Sequence, residues 1–294
     1  MKGLYDNHNH CQFSFDGGRT SVEKSAEAGA AVGLSGMCFT DHCDLYVPPM
    51  KAKFENFQKE EFNIKAQQNE IDRVQDIADR KGWDIRLFKG IEIGLYKSQR
   101  EELRAVLKNN SFDQVIASVH YLDDTDPFWG EYYKDKDWKE AYGHYLETLY
   151  EEIKWAGEDI DIMGHYDYVA RYAPYSKTGI LYKDFPDILD SLLKYLVENG
   201  KALELNTKTY QAYNGRLISV DTDLLKRYKE LGGELISLGS DSHDPQRVGW
   251  NFDKFERLLC SEGFKYIAHF EKRRAVMTTL PSYFANNTSR SSAL

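Results

Sequence analysis

Short apolar runs alternate with longer amphipathic segments along most of the chain. Seven runs are bounded by turn residues: 3–10 (GLYDNHNH), 33–42 (GLSGMCFTDH), 85–95 (IRLFKGIEIGL), 112–122 (FDQVIASVHYL), 160–169 (IDIMGHYDYV), 201–208 (KALELNTK) and 235–243 (LISLGSDSH). Short buried runs of this kind suit parallel strands covered on both faces. The segments between them read as helices. Over 185–199, Phe185, Ile188, Leu189, Leu192, Leu193, Leu196 and Val197 form one apolar stripe, and Asn199-Gly200 ends it. Residues 138–157 repeat the pattern with Trp138, Tyr142, Tyr145, Leu149 and Ile153. A long charged segment over 59–82 stops at Lys81-Gly82, and another over 222–233 stops at Gly232-Gly233. Thr20 with Glu23, and Ser98 with Glu101, have capping-box spacing. Strand and helix alternate seven times. This predicts a parallel α/β architecture, either a barrel or an open doubly wound sheet.

No linker or low-complexity stretch interrupts the pattern, so one domain over 1–281 is expected, followed by a loose tail over 282–294. Two loops are larger than the rest, 43–58 and 123–137. Both follow strand C-termini, the face on which barrel enzymes place their sites, and both suit a lid or substrate wall.

Composition narrows the classes. At 294 residues and 41% hydrophobic, the chain is long enough to bury a sizeable core. Its net charge of −9 offers nucleic acid no basic footprint. No apolar stretch approaches the ~20 residues of a membrane span, and MKGLYDNHNH lacks the apolar centre of a signal peptide. Cys11, Cys38, Cys43 and Cys260 show no CxxC spacing and read as reduced thiols. The expectation is a cytoplasmic protein with a small-molecule partner.

Six of the eight histidines fall at or near predicted strand ends. His8 and His10 end the first strand and His42 the second. His120 ends the fourth, His165 lies in the fifth, and His243 closes the seventh. Asp16, Glu92 and Asp241 accompany them at the same level. Residues two apart on a strand face one way, so His8 pairs with His10 and Asp241 with His243. Gathered at one barrel mouth, these imidazoles and carboxylates are costly without a partner. Divalent ions such as Zn, Fe or Mn are the natural one. Nine ligands exceed the needs of one ion and suffice for two or three, with Glu92 placed to bridge. His144, on a helix, and His269, near the C-terminal segment, are expected to be structural.

These elements resemble the PHP (polymerase and histidinol phosphatase) family, most closely its histidinol-phosphate phosphatase branch. The matching motifs are Asp6-x-His8-x-His10, Thr40-Asp41-His42, Gly90-Ile91-Glu92-Ile93-Gly94, Ser118-Val119-His120, Gly164-His165-Tyr166-Asp167 and Gly239-Ser240-Asp241-Ser242-His243, followed by Pro245 and Val248-Gly249. Together they run from about residue 4 to about residue 249. The resemblance implies a distorted seven-stranded (β/α)7 barrel, TIM-barrel-like, holding a trinuclear centre. It implies His8, His10, Glu92 and Asp241 on the first ion, and Asp16, His42 and His243 on the second. Glu92, His120 and His165 would hold the third. In some relatives the Asp16 position is a histidine.

The implied activity is release of phosphate from L-histidinol phosphate in histidine biosynthesis, by a hydroxide held between two ions attacking phosphorus in line. No GxSxG or P-loop pattern supplies an alternative nucleophile. Arg171 and Arg216 are the expected phosphate contacts, with Asn206 and Lys208 as further candidates. Asp16 or His243 is expected to protonate the leaving oxygen. Asp41 is expected to orient a metal ligand. In the 123–137 loop, Asp123, Asp124, Asp126 and Glu131, with Tyr121, Phe128 and Trp129, offer an acidic aromatic wall to a substrate bearing an amine and an imidazole. Three alternatives compete: a phosphatase of the same family for a nucleotide or phosphotyrosine, a metal-dependent amidohydrolase, and a scaffold without catalysis. Amidohydrolases usually end strand four in lysine or glutamate, whereas this chain has Ser118-Val119-His120 there. A scaffold should have lost ligands, and this chain keeps all nine.

Overall fold

The computed structural model describes residues 1–49 and 62–283. Its elements run in the order β1 (Tyr5–Asn9), α1 (Val22–Val32), β2 (Gly36–Phe39), β3 (His42–Cys43), α2 (Ile64–Lys81), β4 (Arg86–Gly94), α3 (Arg100–Asn109), β5 (Gln114–Ser118), α4 (Trp138–Ala156), β6 (Ile162–Met163), α5 (Tyr168–Tyr172), α6 (Pro186–Glu198), β7 (Ala202–Asn206), α7 (Thr222–Glu230), β8 (Ile236–Gly239), α8 (Phe252–Ser261), β9 (Tyr266–Glu271) and β10 (Arg274–Thr279). Each of the seven apolar runs contains a strand. The seven lie in the order β1-β2-β4-β5-β6-β7-β8, with every neighbouring pair parallel. The two-residue β3 continues the β2 side and pairs with β4, setting His42 opposite Glu92.

The sheet closes on itself between β1 and the segment after β8. His10 N donates to Ser242 O (2.9 Å) and Asp241 N to His8 O (2.8 Å). The fully buried carboxylate of Asp6 reinforces this seam, accepting from Ser240 N (2.9 Å) and Gly249 N (2.8 Å). The arrangement is therefore a nearly closed seven-stranded barrel with helices outside it. α6 shows why: Leu189, Leu192, Leu193 and Leu196 are its buried stripe, and Pro186 sits in its first turn, where no backbone N–H is required.

Two expected helix caps are elsewhere. The N-cap of α1 is Ser21, whose hydroxyl accepts from Lys24 N, while Thr20 hydrogen-bonds Ser25 Oγ (2.6 Å). α3 begins after a 3-10 turn at Lys97–Gln99, so Ser98 lies inside that turn and caps nothing. A full capping box, Asp137 with Glu140, opens α4 instead. Most of the expected tail and the greater part of the 43–58 loop lie outside the described residues. Ser282 is tied down, its backbone N–H donating to Glu256 Oε1 (2.6 Å).

The antiparallel hairpin β9–β10 has no counterpart in the sequence reading. Its turn residues Lys272 and Arg273 both have positive φ (49° and 65°), as a type I′ turn requires, but lack the Asn-Gly signature that announces one. The hairpin covers the barrel end opposite the strand C-termini. Lys272 and Arg273 donate backbone N–H groups to Asp113 (3.0 and 2.8 Å), and the Arg273 guanidinium binds Asp161 (2.5 Å). Phe270 packs against Ile116, Ile162 and Ala202, which are paired in register across β5, β6 and β7. Phe270→Ala should therefore cost about 3–5 kcal/mol of stability, measured by urea unfolding. A loss below about 1 kcal/mol would show that Phe270 is not a plug.

Candidate metal centre

The strand C-termini bring one carboxylate and five imidazoles together. Glu92, in the middle of β4, is fully buried. Its Oε2 lies 3.2 Å from His8 Nε2, 3.4 Å from His10 Nε2 and 2.9 Å from His42 Nδ1. Its Oε1 lies 3.0 Å from His165 Nε2 and 3.3 Å from His120 Nε2. Asp241 Oδ1 is 3.3 Å from His10 Nε2, and Asp16 Oδ2 is 2.8 Å from His243 Nε2. The nine residues singled out above thus lie in one continuous cluster, grading from buried His8, His10 and Glu92 to half-exposed Asp16.

The backbone routes to this cluster differ. His8 and His10 follow the strand period, and their Nε2 atoms come within 3.1 Å. Asp241 and His243 do not, because β8 stops at Gly239. Asp241 takes a left-handed conformation (φ 48°), which aspartate tolerates. His243 Nδ1 donates back to Asp241 O (3.0 Å). A turn, rather than a strand, aims this pair.

Outer carboxylates fix the rings, a role the sequence reading did not assign to them. Glu204 Oε1 accepts from His8 Nδ1 (2.6 Å), and its Oε2 accepts from His165 N (2.7 Å). Asp44 Oδ1 accepts from His120 Nδ1 (3.0 Å). A carboxylate on Nδ1 leaves Nε2 aimed inward. Ser118 Oγ donates to Glu92 Oε1 (2.7 Å). Two glycines make room for these carboxylates. A Cβ on Gly94 would lie 1.7 Å from Asp44 Oδ1, and one on Gly239 would lie 2.3 Å from Glu204 Oε1. The sequence signal was available: both glycines belong to the ligand motifs, and Glu204 stands two residues before Asn206 on the same strand. Asp41 departs from expectation. It touches no candidate ligand and instead accepts from Cys11 N (2.7 Å), Cys11 Sγ (2.9 Å) and Gln67 Nε2 (2.8 Å), pinning the backbone that leaves His10.

The donor set fits divalent ions. His42 Nδ1, Glu92 Oε2 and His243 Nε2 are buried without an aligned hydrogen bond, although each has an oppositely charged neighbour within contact range. Atoms that converge at such distances while missing the hydrogen-bond axis are disposed like ligands around a shared centre. Three overlapping groups have ligand atoms within 4.8 Å of one another: His10, Asp16, His42 and His243; His8, His10 and Glu92; and His42, Glu92 and His120. Imidazole and carboxylate together suit Zn, Mn or Fe.

Electrostatics in the cage are uneven. Burial opposes a charge on His8, but Glu92, Glu204 and Asp241 outweigh it and hold its pKa well above the ordinary value. Burial likewise opposes a charge on His42, yet Glu92 and Asp16 lift it to about 9. His120 is raised by Asp44 and Glu92 against its burial. His10 goes the other way: burial and the neighbouring His42 and His243 push it well below. Burial would raise Glu92, but His8, His42 and His120 keep it ionised.

A cavity of about 340 Å³ opens above the cluster. Arg171 lines it, with its guanidinium over the Tyr213 ring (5.3 Å to the centroid) and its Nε buried without a partner. Lys208 lines it too, with Nζ 2.9 Å from Asp241 Oδ1. Arg216 does not line it. The Tyr213–Arg216 turn closes through two 2.9 Å backbone bonds, and the Arg216 side chain reaches Lys177 O (3.5 Å) beside Tyr142. Asn206 is buried, is not among the residues lining the cavity, and donates to Asp241 Oδ2 (3.2 Å), one of the candidate ligands. Of the acidic loop, only Asp126 reaches the cavity, with Tyr121, Phe128 and Trp129. His144 binds Asp123 (3.0 Å), and His269 stacks on Tyr5 (3.6 Å between centroids), both away from the cluster.

Comparison with known proteins points the same way. Residues 6–208 match the family model described as the PHP domain. The histidinol-phosphatase of Lactococcus lactis subsp. lactis is 34% identical over 92% of this chain and 95% of its own length. The probable histidinol-phosphatase of Clostridium acetobutylicum is 30% identical over 92% of this chain and 98% of its own. The crystal structure of histidinol phosphate phosphatase from Lactococcus lactis, complexed with zinc, L-histidinol and phosphate, superposes with a TM-score of 0.80 at 31% identity. That match covers 94% of this chain and all of the other. Among the described residues, no helix is long and apolar enough to cross a membrane.

Two outcomes follow for metal binding. Glu204→Gln and Asp44→Asn should each weaken it about 10- to 100-fold, read by chelator competition; unchanged affinity would remove the ring-fixing role. An ion needs the lone pairs that protons hold on His8, His42 and His120, all raised by neighbouring carboxylates, so uptake must release protons and apparent affinity must rise with pH across the neutral range. Calorimetric titration in two buffers of different ionisation heat measures the release; zero protons released at pH 7 would contradict it.

Proposed function

The chain belongs to the PHP domain family, and from that premise we propose that it is a metal-dependent phosphomonoesterase hydrolysing L-histidinol phosphate to L-histidinol and phosphate. One observation carries the reaction class: the Glu92 carboxylate, with five imidazoles within 3.4 Å of its two oxygens, is a ligand cage at a barrel mouth. The activity shared by the relatives supports the substrate. In this reading His8, His10, Glu92 and Asp241 hold one ion, and Asp16, His42 and His243 a second. Glu92, His120 and His165 hold a third. Bound ions lower the pKa of water, take phosphoryl oxygens and offset charge on the leaving alkoxide.

The chain's own residues do the rest. Arg171 and Lys208 face the cavity from one side and bind the phosphoryl oxygens. The stack of Arg171 on Tyr213 holds the guanidinium plane in place. Lys208 keeps its proton, because Asp241 outweighs the burial that opposes its charge. As the bond between phosphorus and the ester oxygen breaks, the leaving oxygen needs a proton, and Asp16 or His243, 2.8 Å apart at the open edge of the cage, would relay one to it from water. Arg216 would join the phosphate contacts only by leaving Lys177 O.

The test is phosphate release by protein reconstituted with Zn or Mn, from L-histidinol phosphate against nucleotides, phosphotyrosine and sugar phosphates. A marked preference for L-histidinol phosphate is expected, abolished by Glu92→Ala. Arg171→Ala should lower turnover about 10- to 100-fold, the value of a charged hydrogen-bonded contact, with metal content unchanged. Faster turnover of another monoester would discard the substrate; no release from loaded protein would overturn the reaction.

A further inference from the structure

A second, smaller hollow of about 160 Å³ adjoins the cavity above the ligand cluster. Lys208 and Asp241 line both, so the two meet at this ion pair. Their walls differ in kind. The larger cavity is walled mainly by phenylalanine, tyrosine and tryptophan. The smaller has none of these and no aliphatic side chain; Arg19, Gln211, Ser240, His243, Asp244 and Arg247 complete it.

Its arginines are the less engaged groups. Arg19 and Arg247 are exposed, and neither has an ion-pair partner among the described residues. Arg247 is aimed by one hydrogen bond, from Nη1 to Gln211 Oε1 (2.8 Å). Gln211 is 9% exposed, and its Nε2 is buried without a hydrogen-bond partner. The carbonyl of the same residue accepts from Arg171 Nη1 (3.4 Å). Gln211 thus ties an arginine of the larger cavity to an arginine of the smaller. Two carboxylates also line the hollow. Asp241, a candidate ligand, is held by Lys208 Nζ (2.9 Å) and Asn206 Nδ2 (3.2 Å). Asp244 commits Oδ1 to Gln246 N (3.0 Å) as the cap of the turn Pro245–Arg247. With Lys208 matched by Asp241, two arginines face one remaining carboxylate. The hollow therefore holds an excess of positive charge beside the cage.

The reaction proposed above has two products of opposite character, an organic alcohol and a phosphate dianion. We propose that the smaller hollow is a station for inorganic phosphate on its way out, with Arg19 and Arg247 as its guanidinium contacts and Lys208 passing the anion from one hollow to the other. This rests on the phosphomonoesterase reading. Phosphate leaving directly through the aromatic cavity would give up every charged contact at once. Lys208 stands at the junction, on a flexible stem whose ammonium donors rotate. Guanidinium forks take phosphate oxygens in pairs. The aromatic cavity is then left to the alcohol.

The probe is inorganic phosphate. The metal-loaded protein should bind two phosphates per chain in equilibrium dialysis, one at the cage and one at the station. The double variant Arg19→Gln, Arg247→Gln should bind one, and each single substitution should weaken the second phosphate about 10- to 100-fold. Thermal unfolding checks the fold, and the single variants give the same reading if the double variant unfolds. Phosphate inhibition of L-histidinol phosphate hydrolysis should be mixed in the wild type, because phosphate at the station blocks release without excluding substrate. It should be purely competitive in the double variant. The value of kcat/KM, which excludes product release, should match the wild type. Two phosphates still bound by the double variant overturn the station. A fall in kcat/KM at intact metal content places the arginines in substrate binding and overturns it too. A wild type that hydrolyses phosphate esters but binds one phosphate loses the station and keeps the phosphatase reading. Hydrolysis of no ester by the loaded protein removes both.

Discussion

Glu92 is fully buried with five histidine rings against its two oxygens, and this constraint governs the rest of the site. A carboxylate taken out of water is costly unless cations or hydrogen bonds replace the lost hydration. Here Ser118 supplies one hydrogen bond to Oε1, and Oε2 has no aligned donor. The imidazoles must therefore supply positive charge themselves, as protons, or share the carboxylate with a metal ion. That choice propagates outwards. Glu204 and Asp44 are needed to hold His8 and His120 in orientation, and Gly239 and Gly94 are needed so that those two carboxylates fit. The glycines of the Gly90–Gly94 and Gly239–His243 motifs are thus part of the ligand geometry, two contacts removed from the centre.

The same requirement explains how the barrel closes. β1 carries His8 and His10, and the segment after β8 carries Asp241 and His243, so the seam must bring these ends into register. Backbone bonds between His8 and Asp241 and between His10 and Ser242 do so, and Asp6 fastens the seam from below through Ser240 and Gly249. The buried Asp6 pays part of that cost in its own ionisation: burial lifts its pKa to about 6, against the hydrogen bonds that lower it. At the other end, Phe270 of the β9–β10 hairpin packs against Ile116, Ile162 and Ala202 of β5, β6 and β7. Closure at the seam and closure at the floor are separate devices, and only the first involves ligands.

The strands were legible in the sequence because they follow a simple period, and most candidate ligands because they gather where parallel strands end. Seven apolar runs gave seven strands, and histidines at their ends were placed by the convergence of parallel strands. What escaped was set by contacts distant in sequence. Glu204 reads as one acidic residue in an apolar strand until β1 is placed beside β8. Asp44 sits in a loop with no period. Arg216 and Arg171 both follow strands, yet only the second lines the cavity, because the Tyr213–Arg216 turn closes on itself and the Arg216 side chain goes to Lys177 O. The β9–β10 hairpin escaped because its type I′ turn is made by lysine and arginine, which carry no turn signature.

This division between period and contact also separates chemistry from selectivity. Most of the cage stands on or just past strand ends, whose positions the hydrogen-bonded ladder fixes, with Asp16 on a loop and Asp241 and His243 on the turn after β8. The wall stands on loops and short turns: Asp126 on a 3-10 turn after β5, Arg171 on the five-residue α5, Lys208 just past β7. A substitution in the wall alters which molecule fits and leaves the ladder intact, whereas a substitution in the cage exposes a buried charge. Tyr168 is where the two layers meet, with its ring against His165 and His120 and its hydroxyl on Asp126. Because that one side chain touches both, a change at Tyr168 disturbs the ligand rings and the wall together, which a change elsewhere in the wall does not.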